Sequence, residues 1–148
     1  MRFQRRTQIQ ALSSSTDHRR VRSDNTKNAI MRAAERLIAD RGIENVSIRD
    51  IVSAAGQKNE SALQYHFKNL TGLIEEIKHA RSDQTHLKRA ELIQALHQTT
   101  TQPSVADACK LMVQPAFELA WEDKDFHCYV KAFGHELVLT NSSPSAKA

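Results

Sequence analysis

Three observations predict an all-α fold for this 148-residue chain. Glycine and proline are scarce, at 4 and 3 residues, and aromatics make up only 5%, a composition short of the turns and strand formers of a sandwich or barrel. Apolar residues recur at i, i+3, i+4 and i+7, the period of a helix with one buried face. Helix start and stop residues stand between these stretches, Gly42 and the Ser47/Asp50 pair among them. The length suffices for one domain with a core, or for two small ones sharing an interface.

Composition also narrows the function classes. Two cysteines, Cys109 and Cys128, are too few for a disulfide framework and point to a reducing compartment. The N-terminal arginines lack the apolar stretch of a secretory signal, and no apolar run reaches the length of a membrane span. The chain reads as cytoplasmic, without a membrane partner. Its charge is uneven. Residues 1–68 hold 13 Lys and Arg against 7 Asp and Glu, whereas residues 69–148 hold 8 against 10. A basic front joined to a mildly acidic back is the balance of a polyanion-binding module attached to something else, although long basic side chains also serve simply to solvate a surface.

Residues 1–22 are rich in Arg, Ser and Gln without a sustained period and predict a disordered basic arm carrying Arg2, Arg5, Arg6, Arg19, Arg20 and Arg22. Such an arm suits DNA phosphates or a minor groove, or it is a solubilising tail. Order is expected from 24 to 26, where N-cap residues precede the stripe Ile30, Ala33, Ala34, Leu37 and Ile38. Arg41 in the last turn and Gly42 after it end that helix. Ser47 and Asp50 have capping-box spacing and open a short second helix with Ile48, Ile51, Val52 and Ala55 inward. Gly56 then supplies a turn.

A third helix is expected from about 59 to 67 or 68. Leu63 and Phe67, four apart, bury together, and Ser61, Gln64, Tyr65 and Lys68 fall on the opposite face. A short capped helix, a glycine turn and a helix with a polar outer face make a helix-turn-helix, whose second helix fits a major groove. Gln64 can pair with the N6 and N7 of adenine, while Tyr65 and Lys68 suit phosphate oxygens. A merely solvated helix face has a similar composition.

The stretches "IMRAAERLIADRGIENVSIRDIVSAAG" and "ALQYHFKNLTGLIEEI" resemble the DNA-binding domain of the TetR family of bacterial transcriptional regulators over about residues 26 to 78. Ile30, Ala33, Ala34, Gly42, Ser47, Asp50, Ile51, Ala55, Gly56, Tyr65, His66, Phe67 and Leu73 match in type and order. The resemblance implies a recognition helix at 59–67, with a buried Phe67 and with DNA contacts from Gln64 and Tyr65, beside which Ser61, Ala62, His66 and Lys68 are further candidates. It also implies support from Ser47 and Arg49 on the preceding helix and from Lys58 and Asn59 in the turn. An apparent insertion at 57–59 leaves open which of Lys58, Asn59 and Glu60 reaches DNA. Leu70 stands where the family commonly has a phosphate-binding Lys or Arg, a task left to helix N-terminal amides or to Lys68.

Leu70, Leu73, Ile74 and Ile77 form the stripe of a fourth helix capped by Asn69, and a separate helix is expected from about 83 to 97. After the loop "TTTQPS", the residues Val105, Ala108, Cys109, Met112, Val113, Ala116, Phe117 and Ala120 make a long apolar stripe. Pro115 should kink it by removing the bond to the Leu111 carbonyl. The family resemblance makes Met112, Phe117 and Trp121 candidates for an effector-pocket lining, with plain core packing as the alternative. A last helix carries Phe126, Tyr129, Val130, Phe133 and Leu137.

The resulting expectation is a disordered basic arm at 1–22, a helix-turn-helix domain at 23–69, a helical regulatory and dimerisation domain at 70–140, and a disordered polar tail at 141–148. Family members usually continue further, so the regulatory domain reads as partial, apparently truncated. The implied function is a transcriptional regulator, in the main a repressor. It would bind double-stranded DNA as a homodimer at a pseudo-palindromic operator and be released by a small-molecule effector. A helical interaction module, or a degenerate regulator fragment without operator binding, is the alternative. An enzyme is not expected: His127, Cys128 and His135 are the nearest approach to a metal site, but His127 and His135 are eight residues apart, and no HExxH, CxxC, nucleophile elbow or phosphate loop occurs. No cofactor and no metal is called for.

Overall fold

The structure, a computed structural model, describes the backbone of residues 4–139 and the side chains of residues 18–134. The described chain is helical throughout: α1 Gln4–Arg41, a 3₁₀ turn Ile43–Asn45, α2 Ile48–Ala54, α3 Ser61–Phe67, α4 Leu70–Thr99, α5 Val105–Glu122 and α6 Lys124–Leu139. The all-α prediction holds.

Helix α1 is 38 residues long, roughly 57 Å at the α-helical rise. It begins at Gln4 and not near residue 24, so residues 4–22 are helical where the composition predicts a disordered arm. The reason lies in what the stretch lacks. No glycine or proline precedes Gly42, and Gln, Arg, Ala and Leu adopt helical dihedrals at little cost, so nothing stops the helix from extending toward the N-terminus. Residues 1–3 and the polar tail at 141–148 lie outside the described residues. The far end of α1 stops as expected: Gly42 has φ 77°, and its N–H donates to the Ile38 carbonyl at 2.9 Å.

One core runs through the molecule. Ile30, Ala33, Ala34 and Ile38 of α1 meet Ile51 and Val52 of α2, Leu63 and Phe67 of α3, and Leu73 and Ile77 of α4. Phe126, Tyr129 and Phe133 of α6 join the same cluster. Each buried Ile, Leu, Val or Phe side chain among them contributes about 1.5–3 kcal/mol. Helix α6 lies along α1, and its flank is tied by Arg32 to Asp125 at 3.1 Å and Lys131 to Asp40 at 3.7 Å. The side chain of Leu137, expected on the same face, lies outside the described residues.

Helix α4 is continuous where two helices are expected, because no glycine or proline falls between Gly72 and Pro103. Its N-cap is Asn69, whose side chain accepts from the Gly72 N–H at 2.8 Å. The corner before it is tight. Lys68 has φ 67° and ψ −50°, and the Asn69 N–H donates to the Phe67 carbonyl at 2.8 Å, which closes a γ-turn on a lysine. A Cβ on Gly72 would lie 2.2 Å from the same Phe67 carbonyl oxygen, so glycine is what allows α4 to start there.

Helix α5 opens on a capping box of Ser104 and Asp107 that the sequence reading passes over. Pro115 is buried inside it, and the Leu111 carbonyl that loses its intrahelical donor accepts instead from Arg89 Nε of α4 at 3.0 Å. Of the expected apolar stripe, only Ala116 and Ala120 belong to the packed face. Pro115, Ala116, Leu119 and Ala120 turn toward the core, while Val105, Cys109, Met112, Val113 and Phe117 are exposed. The rotation follows from α5 meeting α4 and α6 along its proline side, where small residues permit close approach. Lys88 on α4 secures that side by reaching Glu118 and Glu122 at 3.3 Å each.

Candidate nucleic-acid interface

The site is built on α2 and α3. The Ser47 hydroxyl accepts from the Asp50 N–H at 3.1 Å, and the Asp50 carboxylate accepts from the Ser47 N–H at 3.1 Å, the reciprocal capping box anticipated from the spacing. The hydroxyl and N–H of Ser47 hold the Asp50 carboxyl below the usual carboxylate range. Ile51 and Val52 anchor the helix to the core. Gly56, at φ 70°, then reverses the chain, with its own N–H on the Ser53 carbonyl at 3.0 Å and the Gln57 N–H on the Val52 carbonyl at 2.9 Å.

Asn59 organises the start of α3. Its side-chain oxygen accepts from the Ser61 N–H at 2.6 Å and also from the Ser61 hydroxyl. Leu63 and Phe67 bury as their spacing predicts, and Ser61, Gln64 and Tyr65 point outward, Tyr65 with 81% of its surface exposed. His66 is half-buried, edge-on to the Tyr65 ring at 5.0 Å. Burial first, and then the nearby Lys27 charge, push its pKa below the ordinary imidazole value against the opposing effect of Asp24. The ring is therefore neutral at neutral pH. Lys27 is itself tied to Glu76 of α4 at 2.5 Å.

Two open grooves gather most of the expected residues. Arg49 shares one with Lys58, Asn59 and Ser61. The larger, about 1140 Å³, has Lys58, Asn59, Ser61, Ala62, Gln64, Tyr65 and His66 on one side and Arg19, Arg22, Ser23 and Thr26 of α1 on the other. Two expected residues stand apart. Ser47 is engaged in its capping box, and Lys68 leaves helical register because α3 stops at Phe67 and the chain turns at Lys68. Its predicted place on the α3 face at i+7 is corrected accordingly, although its side chain remains exposed. Arg19 and Arg22, expected in a disordered basic arm at 1–22, stand instead on α1 beside Ser23 and Thr26.

Among the described residues, Met112, Phe117 and Trp121 are exposed. Phe117 and Trp121 are 69% and 85% exposed and line only a shallow surface depression with Glu118 and Glu122. Core packing does not describe them. Among the described residues, no group of three or more His, Cys, Asp or Glu side chains is placed to hold a metal ion, and no helix is long and apolar enough to cross a membrane.

A short capped helix, a positive-φ glycine turn and a helix that buries Leu63 and Phe67 while offering a polar face define a helix-turn-helix, whose second helix fits a major groove. Residues 30–77 match the family described as bacterial regulatory proteins, tetR family, and the match supports a DNA-binding helix-turn-helix regulator. Neither the curated proteins nor the solved structures provide a match to the chain.

Proposed function

We propose that this regulator is a repressor that binds a pseudo-palindromic operator in the bacterial cytoplasm as a homodimer, one α3 per half-site. The observation that carries the reading is the outward face of α3: Gln64 and Tyr65 project into open space from a helix pinned at Leu63 and Phe67. Gln64 reads a base, adenine being its natural partner, while Tyr65, Ser61, Lys58 and Lys68 meet phosphates. Arg49 and Asn59 flank them, Ala62 and the neutral His66 contribute surface, and Ser47 acts by capping α2. The backbone amides at the start of α4 take the place of a cation at Leu70.

Dimerisation is supported by the uncovered apolar side of α5, which presents Val113, Phe117 and Trp121 to solvent on one helix. A small-molecule effector releases the operator by preferring a state in which the two recognition helices are wrongly spaced. Met112, Phe117 and Trp121 serve such a site only when a second surface closes over them. Selecting fragments of the parent genome with the purified chain at moderate salt tests the proposal. A recurrent inverted repeat is expected; enrichment of no sequence over bulk DNA would overturn it.

A further inference from the structure

The N-terminal part of α1 faces the recognition helix across a groove that contains no acid. Residues 4–25 extend the helix by about 33 Å. Along α1, Arg19, Arg22, Ser23 and Thr26 fall at i, i+3, i+4 and i+7, which is one face, and that face forms the wall opposite Gln64 and Tyr65. The groove's charged residues are Arg19, Arg22 and Lys58, and neither Asp nor Glu lines it. Two other cations of α1 are committed, Lys27 to Glu76 and Arg32 to Asp125. Arg19 and Arg22 have no carboxylate partner among the described residues. A rigid helix has already lost the conformational freedom that an unstructured basic arm would lose on binding.

We infer that this segment of α1 is a second DNA-contacting helix, in which Arg19 and Arg22 hold phosphates of the strand bordering the major groove that α3 enters. The inference rests on the DNA reading of α3 and deepens it. The two helices straddle one strand, α3 supplying base contacts and α1 supplying charge, so the footprint extends beyond the bases that α3 touches. A guanidinium suits this task because its fork can engage two phosphate oxygens at once.

The test compares duplex binding by the full chain, by R19A/R22A and by R20A across a salt series. Arg20 carries the same charge in the same segment but does not line the groove. For R19A/R22A, the slope of log K against log salt should fall by about 1.8 units on all sequences with base preference intact, while R20A stays within half a unit of wild type. R19K/R22K should restore most of the slope, and hydroxyl-radical protection at the outer phosphates should vanish in R19A/R22A alone. Circular dichroism checks that each variant stays helical; should the alanines unfold it, R19Q/R22Q takes their place. A wild-type slope and footprint in the folded double variant overturns the α1 inference and leaves the α3 reading standing. An equal loss in R20A overturns it in favour of diffuse charge. No duplex binding by the wild-type chain at low salt overturns both.

Discussion

Arg81 of α4 clasps Glu35 of α1 with two hydrogen bonds, Nε to Oε1 at 2.7 Å and Nη2 to Oε2 at 2.8 Å. The residues are 8% and 1% exposed. The remaining terminal nitrogen of Arg81 donates to Gln84 at 2.8 Å and lies 3.4 Å from Asp123, just before α6, while the guanidinium stacks 5.4 Å from the Phe126 ring centre. Burial pushes the Glu35 carboxyl upward against the pull of Arg81. Burial also works against the Arg81 charge, but the hydrogen bond and charge of Glu35 outweigh it and keep the guanidinium protonated. One side chain thus ties the helix that supports the DNA-binding domain to α4 and to the start of α6.

Removing one partner should therefore be costly. Glu35→Ala strands a buried guanidinium and is expected to destabilise the chain by about 3–5 kcal/mol, whereas the apolar pair Glu35→Leu with Arg81→Met should recover most of that loss. Urea unfolding of the three proteins measures it; a loss under 1 kcal/mol in Glu35→Ala would show that the clamp is energetically idle.

The corner between α3 and α4 offers a second test. Gly72→Ala places a methyl 2.2 Å from the Phe67 carbonyl oxygen, and a displaced backbone at such a site typically costs about 1–3 kcal/mol. Because Phe67 ends the recognition helix, operator affinity should fall along with thermal stability. A variant with wild-type melting would contradict the packing at this corner.

Lys68 combines backbone strain with a proposed phosphate contact, and substitutions separate the two. Lys68→Gly should gain roughly 1 kcal/mol of stability by relieving the positive φ while lowering the salt slope of DNA binding by about 0.9. Lys68→Ala should lower the slope equally without the gain. An unchanged slope in both removes Lys68 from the DNA backbone.

Gln64→Ala should weaken binding to the preferred operator by about 1–3 kcal/mol and relax selectivity at one base pair. Competition binding on single-base operator variants reads this directly. Equal losses on operator and random duplex would make Gln64 a positioning residue and not a base reader.

Phe117→Glu with Trp121→Glu should convert a self-associating chain into a monomer in sedimentation and reduce affinity for the full palindrome to that for a half-site. A wild-type chain that sediments as a monomer at micromolar concentration, yet binds palindromes tightly, would exclude α5 as the dimer surface.

His66 gives the stability a pH dependence of definite sign. Its folded pKa lies below the ordinary imidazole value of 6.5, so between the two values the unfolded chain binds the proton more readily. Stability should be full above pH 6.5, decline as pH falls through that value, and level off below the folded pKa. His66→Gln should flatten this part of the profile, and melting temperatures measured between pH 7.5 and 5 decide the matter.

Local chemistry made the helix-turn-helix legible. The Ser47/Asp50 capping box, the Gly42 and Gly56 turns, the Asn69 cap and the Leu63/Phe67 pair each depend on residues within a few positions of one another, so spacing alone determines them. The buried face of α5 and the pairing of buried charges depend instead on distant partners. The apolar residues of α5 are compatible with either side facing inward; contact with α4 and α6 selected the side bearing Pro115, Ala116, Leu119 and Ala120 and left Phe117 and Trp121 outside. The Glu35–Arg81 clamp joins residues 46 apart in sequence, and Arg89 meets the Leu111 carbonyl across 22. Periodicity records that a helix has an apolar face. Which neighbour that face meets, and which buried charges then find each other, is a property of the assembled helices.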